Sequence, residues 1–187
     1  MGEEKEEKRK EMTSKLFDFE SVKKYPHTRF EMTCFWRYLD LFFEDYGAAV
    51  DLNPDFQRCH VWTREQQSKY IEFILRGGQS ASVLYFNLDS SRGEHGTLEL
   101  VDGKQRLEAV KAWMSNEIPA FGYRRNQITK ITNIVESFKI NIAEMTSRAD
   151  VLEWYLMINE GGTPHSSEEL QRVHALLDAA VLAGDTP

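Results

Sequence analysis

Two cysteines, Cys34 and Cys59, are all that a chain of 187 residues carries. They fall at no metal-ligand spacing, and a disulfide framework is excluded as the source of stability, so both read as reduced thiols. No apolar run approaches the roughly 20 residues that cross a bilayer, so no membrane is expected among the partners. The N-terminal MGEEKEEKRKEM lacks the apolar core of a secretory signal, and a cytoplasmic location is the expectation. Positive charge is not in excess either. Lys+Arg number 23 against 30 Asp+Glu, a net charge of −7, which argues against a protein that coats DNA nonspecifically.

What is present is a core. Hydrophobic residues make up 41% and aromatics 12% of the chain, enough to bury the interior of one domain, with room for a small appendage. The charge is unevenly spread. Residues 51–130 hold 11 Lys+Arg and 10 Asp+Glu, net +1, whereas residues 131–187 hold 3 and 9, net −6. The middle segment is therefore the part best suited to face a polyanion, and a nucleotide or a short stretch of nucleic acid suits it better than a long DNA groove.

Residues 1–13 are a mixed charge run and read as a tail. FEMTCFWRYLDLFFEDYG (30–47) places Phe30, Cys34, Leu39, Phe42 and Phe43 among charges and reads as an amphipathic helix ending at Gly47. AAVDLN (48–53), before Pro54, reads as extended. In VWTREQQSKYIEFILRGG (61–78), Thr63 and Gln66 form a capping-box pattern, Tyr70, Ile71, Ile74 and Leu75 make one face, and Gly77 and Gly78 end the helix. ASVLYFNL (81–88) and TLELV (97–101) read as strands joined by the polar loop 89–96, and a helix follows from about Gly103 to Ser115. IPAFGY (118–123) and IVESFKINIAEM (134–145) read as further extended segments. Two helices close the chain, 147–162 and 163–184, the second with a Ser166/Glu169 capping box. The order predicts a small α/β or α+β domain over residues 14–145 with a C-terminal helical annex over 146–187.

Three clusters carry chemistry. In LVDGKQRLEAV (100–110), Asp102 and Gln105 read as an N-cap and its capping-box partner. Gly103, Lys104 and Arg106 are not explained that way. A glycine permits close backbone approach, a first helical turn favours anions, and Arg106 and Lys104 supply a fork and a point charge for phosphate oxygens. In NPDFQRCHVW (53–62), Phe56 and Trp62 read as buried anchors. Gln57, Arg58 and His60 are left as polar heads, either solvated or completing a pocket with Gln105 and Arg106. INEGGTPHSSEEL (158–170) reads as a helix–turn–helix connection from which Asn159 can present a carboxamide, with His165 and Glu169 as weaker candidates.

Taken in order, Pro54-Asp55-Phe56-Gln57-Arg58 with Trp62, then Val101-Asp102-Gly103-Lys104-Gln105-Arg106-Leu107, then Asn159-Glu160-Gly161-Gly162-Thr163-Pro164 with Glu169-Leu170, resemble the N-terminal domain of GmrSD-type modification-dependent restriction enzymes. The resemblance covers roughly residues 14–180. Lys104 stands where the family pattern Asp-Gly-Gln-Gln-Arg has its first Gln, and His165 stands where an apolar residue is usual. The resemblance implies a ParB/sulfiredoxin-like core with a helical N-terminal element, and a pocket for a nucleoside triphosphate (ATP, GTP or CTP) with Mg²⁺. Asp102, Gly103, Lys104, Gln105 and Arg106 would hold phosphate, Asp102 the metal ion, Gln57 and Arg58 would face the same pocket, and Asn159 would close it. The catalytic set is then Asp102, Arg106 and Arg58. The expected function is nucleotide-dependent phosphoryl transfer or hydrolysis in DNA restriction or modification, for instance phosphorylation of a modified base, in a phage or mobile-element setting. No His-Asn-His nuclease motif occurs in the 187 residues. Two alternatives stand beside the enzyme: a binding module that regulates a restriction partner, and a DNA nuclease.

Overall fold

Residues 30–35 depart from the helical expectation. Phe30, Met32 and Cys34 alternate with Glu31, Thr33 and Phe35 at the strand period of two, and the segment forms strand β1 (Phe30–Phe35). Its backbone pairs antiparallel with β5 (Ser137–Ala143), Phe30 opposite Ile142 and Phe35 opposite Ser137. Helix begins only after a 3-10 turn at Trp36–Tyr38, as α1 (Leu39–Asp45). The helical spacing of Leu39, Phe42 and Phe43 is real, but the helix it marks begins nine residues after the expected start at Phe30. Gly47, the expected stop, lies outside the described residues: the computed structural model describes residues 26, 28–45, 49–57, 61–128, 136–159 and 167–185.

The remaining elements follow their local signals more closely. A short β2 (Ala49–Asp51) precedes Pro54. Helix α2 (Arg64–Leu75) opens on a complete capping box, the Gln66 N–H donating to Thr63 Oγ1 at 3.2 Å and the Thr63 N–H to Gln66 Oε1 at 2.8 Å. It closes on Gly77 at φ +90, where the Gly78 N–H reaches the Phe73 carbonyl at 3.0 Å and the Gly77 N–H the Ile74 carbonyl at 2.8 Å. Strands β3 (Val83–Asp89) and β4 (Thr97–Asp102) flank the polar loop, and α3 (Lys104–Met114) follows. IPAFGY forms no strand. Ala120 and Tyr123 exchange both backbone hydrogen bonds around a two-residue turn, and 3-10 residues Arg125–Gln127 come next. Helices α4 (Arg148–Asn159) and α5 (Ser167–Leu182) complete the chain. Ser166 of the expected capping box lies outside the described residues.

Among the described residues the fold is thus mixed α/β, five strands in one sheet with five α-helices. The strand order is β1-β5-β3-β4-β2. β3 runs parallel to β5 and antiparallel to β4, and β2 runs parallel to β4. Both faces of the sheet are covered. Leu84, Phe86, Leu98, Leu100, Phe138 and Ile140 pack with Leu39, Ile71, Leu107 and Trp113, so α1, α2 and α3 lie on one side. Val101, Ala143 and Tyr85 pack with Phe56, Leu152, Tyr155 and Val173, so α4 and α5 lie on the other. These last helices run as a hairpin: the Arg148 N–H at the start of α4 donates to Asp185 Oδ2 just past the end of α5, at 2.7 Å. No helix among the described residues is long and apolar enough to cross a membrane.

Candidate functional site

The chain reverses direction between β4 and α3 through one residue, Gly103. Its φ of +110 is a conformation L side chains rarely adopt, and a Cβ built there would lie 2.4 Å from Leu84 Cδ2 on β3. Both constraints demand glycine. They also correct the capping expectation. Gly103 is itself the N-cap and offers no side-chain cap, whereas Asp102 belongs to β4. A register shift between Tyr85 and Phe86 leaves Tyr85 opposite Asp102 and Phe86 opposite Leu100, so Val101 is the extra residue of a bulge. Bulges re-aim the side chains beside them, and here the residue affected is Asp102.

The Asp102 carboxylate forms an ion pair with the Arg106 guanidinium one turn along α3. The two side chains are 26% and 17% exposed, so the pair is shielded yet open to solvent on one side. Arg106 also acts at a distance on Tyr70. Burial pushes the Tyr70 hydroxyl strongly upward, and the nearby guanidinium opposes that shift. Lys104 is the first residue of the helix and is partly buried.

Gln105 does not complete a box with Asp102. Its Oε1 accepts the backbone N–H groups of Val61 at 3.0 Å and Trp62 at 3.1 Å. Gln57 does the converse: its Nε2 donates to the carbonyls of Leu100 and Val101, both at 2.8 Å. β2 stops pairing with β4 at Asp51–Glu99, so the Gln57 amide takes over the ladder where the strand has left it. The two glutamines therefore tie both ends of the 58–60 segment to the β4–α3 junction. Arg58, Cys59 and His60 themselves lie outside the described residues.

A second set of contacts fixes the 53–57 loop from the far side, and the residues that supply it, Arg92, Glu99, Arg148 and Arg172, carry no functional signal of their own in the sequence. Arg172 on α5 donates to the carbonyls of Asp55 at 2.6 Å, Phe56 at 3.3 Å and Gln57 at 3.1 Å. Arg148 on α4 pairs with Asp55 and reaches Glu99 Oε2 at 3.3 Å, with its guanidinium carbon 4.8 Å from the centre of the Phe56 ring. Glu99 also receives Arg92 at 2.5 Å. Burial raises the Glu99 carboxyl, and the two arginines oppose the shift without cancelling it. One signal was legible: an acid inside the apolar run TLELV has no solvent face to occupy if helices cover both sides of the sheet.

The structure thus brings Gln57, Asp102, Gly103, Lys104, Gln105 and Arg106 to one junction. Helix α4 meets the 53–57 loop by packing: the Tyr155 ring lies 5.0 Å from that of Phe56. Asn159, one turn further on, donates through Nδ2 to the Tyr155 carbonyl at 2.7 Å. The residues after it, through His165, lie outside the described residues. Among the described residues no group of three or more His, Cys, Asp or Glu could hold a metal ion.

The family model described as GmrSD restriction endonuclease, N-terminal domain, matches residues 39–139. That span takes in the first two clusters, and Asn159 lies beyond it. No curated protein and no solved structure matches the chain.

Proposed function

The chain belongs to the GmrSD restriction endonuclease N-terminal domain family, which places it in restriction systems, and we propose on that premise that the β4–α3 junction binds a nucleoside triphosphate in the service of DNA restriction or modification in the cytoplasm. The observation that carries the reading is the interlock of two distant motifs at one helix start. Gln57 and the 61–62 backbone are bound to the same junction that presents Asp102, Gly103, Lys104 and Arg106. Two cations and a helix start suit phosphate oxygens. Gln57 and Gln105 act as positioning groups, Arg106 and Lys104 hold phosphate, and Arg58 and Asn159 are assigned to the same pocket by their place in the family motifs alone. We read the core as ParB/sulfiredoxin-like on the order of the motifs.

The donor set fits phosphate more fully than metal. Magnesium is commonly held by one or two carboxylates together with the nucleotide's own phosphates, and Asp102 is the carboxylate available here. When bound, the ion would neutralise charge on the phosphate chain. Binding of phosphate to Arg106 competes with its ion pair to Asp102, so nucleotide and metal together would replace the contacts that this pair now makes. Phosphoryl transfer or hydrolysis follows as the enzymatic form of the reading, with water or a modified base as acceptor.

A second reading, a binding module that regulates a restriction partner without turnover, is favoured by the existing neutralisation of Asp102 by Arg106. Direct DNA cleavage finds no converging carboxylate or histidine set among the described residues. Calorimetric titration with ATP, GTP and CTP, each with Mg²⁺, tests the site. Arg106→Ala is expected to weaken binding about 10- to 100-fold, the loss of charge-assisted hydrogen bonds, with Arg106→Lys partly restoring it. Melting curves of each variant check the fold. Phosphate release with and without duplex DNA separates enzyme from module. No saturable binding of any of the three nucleotides, with or without DNA, sinks the reading.

A further inference from the structure

The 120–123 turn is built against its own stability. Ala120 and Tyr123 exchange backbone hydrogen bonds at 2.8 and 2.9 Å, and both central residues have positive φ, Phe121 at +52 and Gly122 at +80. A turn of this hand prefers Asn or Asp followed by Gly, and a bulky aromatic is a rare occupant of the left-handed region. The ring is not there to fill the core, because Phe121 is 42% and Tyr123 59% exposed. The surroundings hold the turn in place. Glu72 of α2 accepts the Phe121 N–H at 2.7 Å, and the Arg76 guanidinium lies 5.1 Å from the centre of the Phe121 ring. Behind the tip, the Asn116 carbonyl accepts from the Arg124 guanidinium, and Asn116 Oδ1 accepts the Asn126 N–H at 2.8 Å.

The tip therefore presents two exposed rings among Arg76, Arg124 and Arg125. The counter-charges are Glu72, which serves the turn, and Glu136, 3.4 Å from Arg125. Exposed aromatics flanked by arginines match nucleic acid in both of its parts, rings to bases and guanidinium groups to phosphates. The chain's net charge of −7 confines such contact to a local point of this kind.

We propose that this turn is the DNA-contact element of the domain: Phe121 and Tyr123 insert against the bases of a duplex while Arg76 and Arg124 meet the adjoining phosphates. The proposal rests on the DNA-directed part of the functional reading and is independent of the nucleotide pocket. Backbone strain is retained at Phe121 because the ring, and not the turn, is what is used.

The test is fluorescence anisotropy of the full chain with a labelled duplex at low salt, together with thermal melting. Phe121→Asn gives the turn its preferred residue, so the melting temperature is expected to hold or rise while duplex affinity falls about tenfold or more. Tyr123→Ala is expected to weaken the duplex complex without unfolding the protein. Lys139→Ala, an exposed cation of β5 paired with Glu31 and assigned to neither the tip nor the pocket, serves as the control and is expected to leave duplex affinity unchanged. Wild-type affinity in Phe121→Asn, or no duplex binding by the unmodified chain, overturns the proposal. Absence of nucleotide binding beside tip-dependent DNA binding removes the pocket reading alone.

Discussion

A buried carboxamide is a peptide group on a side chain, and this fold uses three of them to stand in for missing backbone. Gln57 satisfies two strand carbonyls, Gln105 accepts two loop N–H groups, and Asn87 exchanges both bonds with Met145, at 3.0 and 2.9 Å. A glutamine beside an arginine in a short motif reads in a sequence as a ligand, because residue type does not reveal that a parallel neighbour strand ends three residues early. The cost of removing one is set by the partners left behind. Gln57→Leu keeps the volume but orphans the carbonyls of Leu100 and Val101, each a loss of about 1–3 kcal/mol. Urea unfolding is expected to show a destabilisation of roughly 2–6 kcal/mol for the two together. A change under about 0.5 kcal/mol, the range of an ordinary surface substitution, would mean that water replaces the amide.

At the level of elements, legibility followed the strength of the local punctuation. Helix α2 was bounded by Thr63, Gln66 and Gly77, all of which act through short-range hydrogen bonds, and its position was readable. β1 was not, because FEMTCF satisfies the strand period and the start of a helical one equally, and only its pairing with β5, about a hundred residues away, decides between them. The helix start at Lys104 is legible in the sequence while its cap is not, since the φ of Gly103 and its contact with Leu84 arise from packing on β3. The link between α5 and the 53–57 loop was illegible for the same reason: nothing local marks Arg172 as the donor to three carbonyls in a row. Arg172→Met keeps the aliphatic stem and removes those bonds. Its exposure lowers the expected loss to about 1–2 kcal/mol, below the full value of charged hydrogen bonds. Hydrogen exchange should quicken at the Gln57 amide, which donates to the Pro54 carbonyl at 2.9 Å, before it quickens in α5. Uniform acceleration along the chain would instead identify Arg172 as a support of global stability.

For the whole molecule, the sheet is covered on both faces, and a charge on an inward position must be accommodated there. Glu99 is that charge, 2% exposed in the centre of β4 and bound by Arg92 from the β3–β4 loop and Arg148 from α4. Its carboxyl is raised, first by desolvation and to a lesser degree by Asp51, while the arginines pull the other way. A carboxyl whose folded value exceeds its unfolded one holds its proton more tightly in the native state. The stabilising contribution is therefore complete below the unfolded value, near 4.5, and is lost as pH rises through the folded value. This is the reverse of an ordinary paired carboxylate, whose pairing is lost in acid. Other acids titrate over the same window, so the informative quantity is the difference between the native chain and Glu99→Gln, in which position 99 is neutral at every pH. Urea unfolding of both proteins from pH 7 to 4.5 should show the native chain gaining on the variant as pH falls, with the difference level below about 4.5. If the native chain loses ground instead, the two arginines outweigh burial. Glu99 then acts as the anionic centre that binds the C-terminal helices, through Arg148 and Asp55, to the loop that carries Gln57.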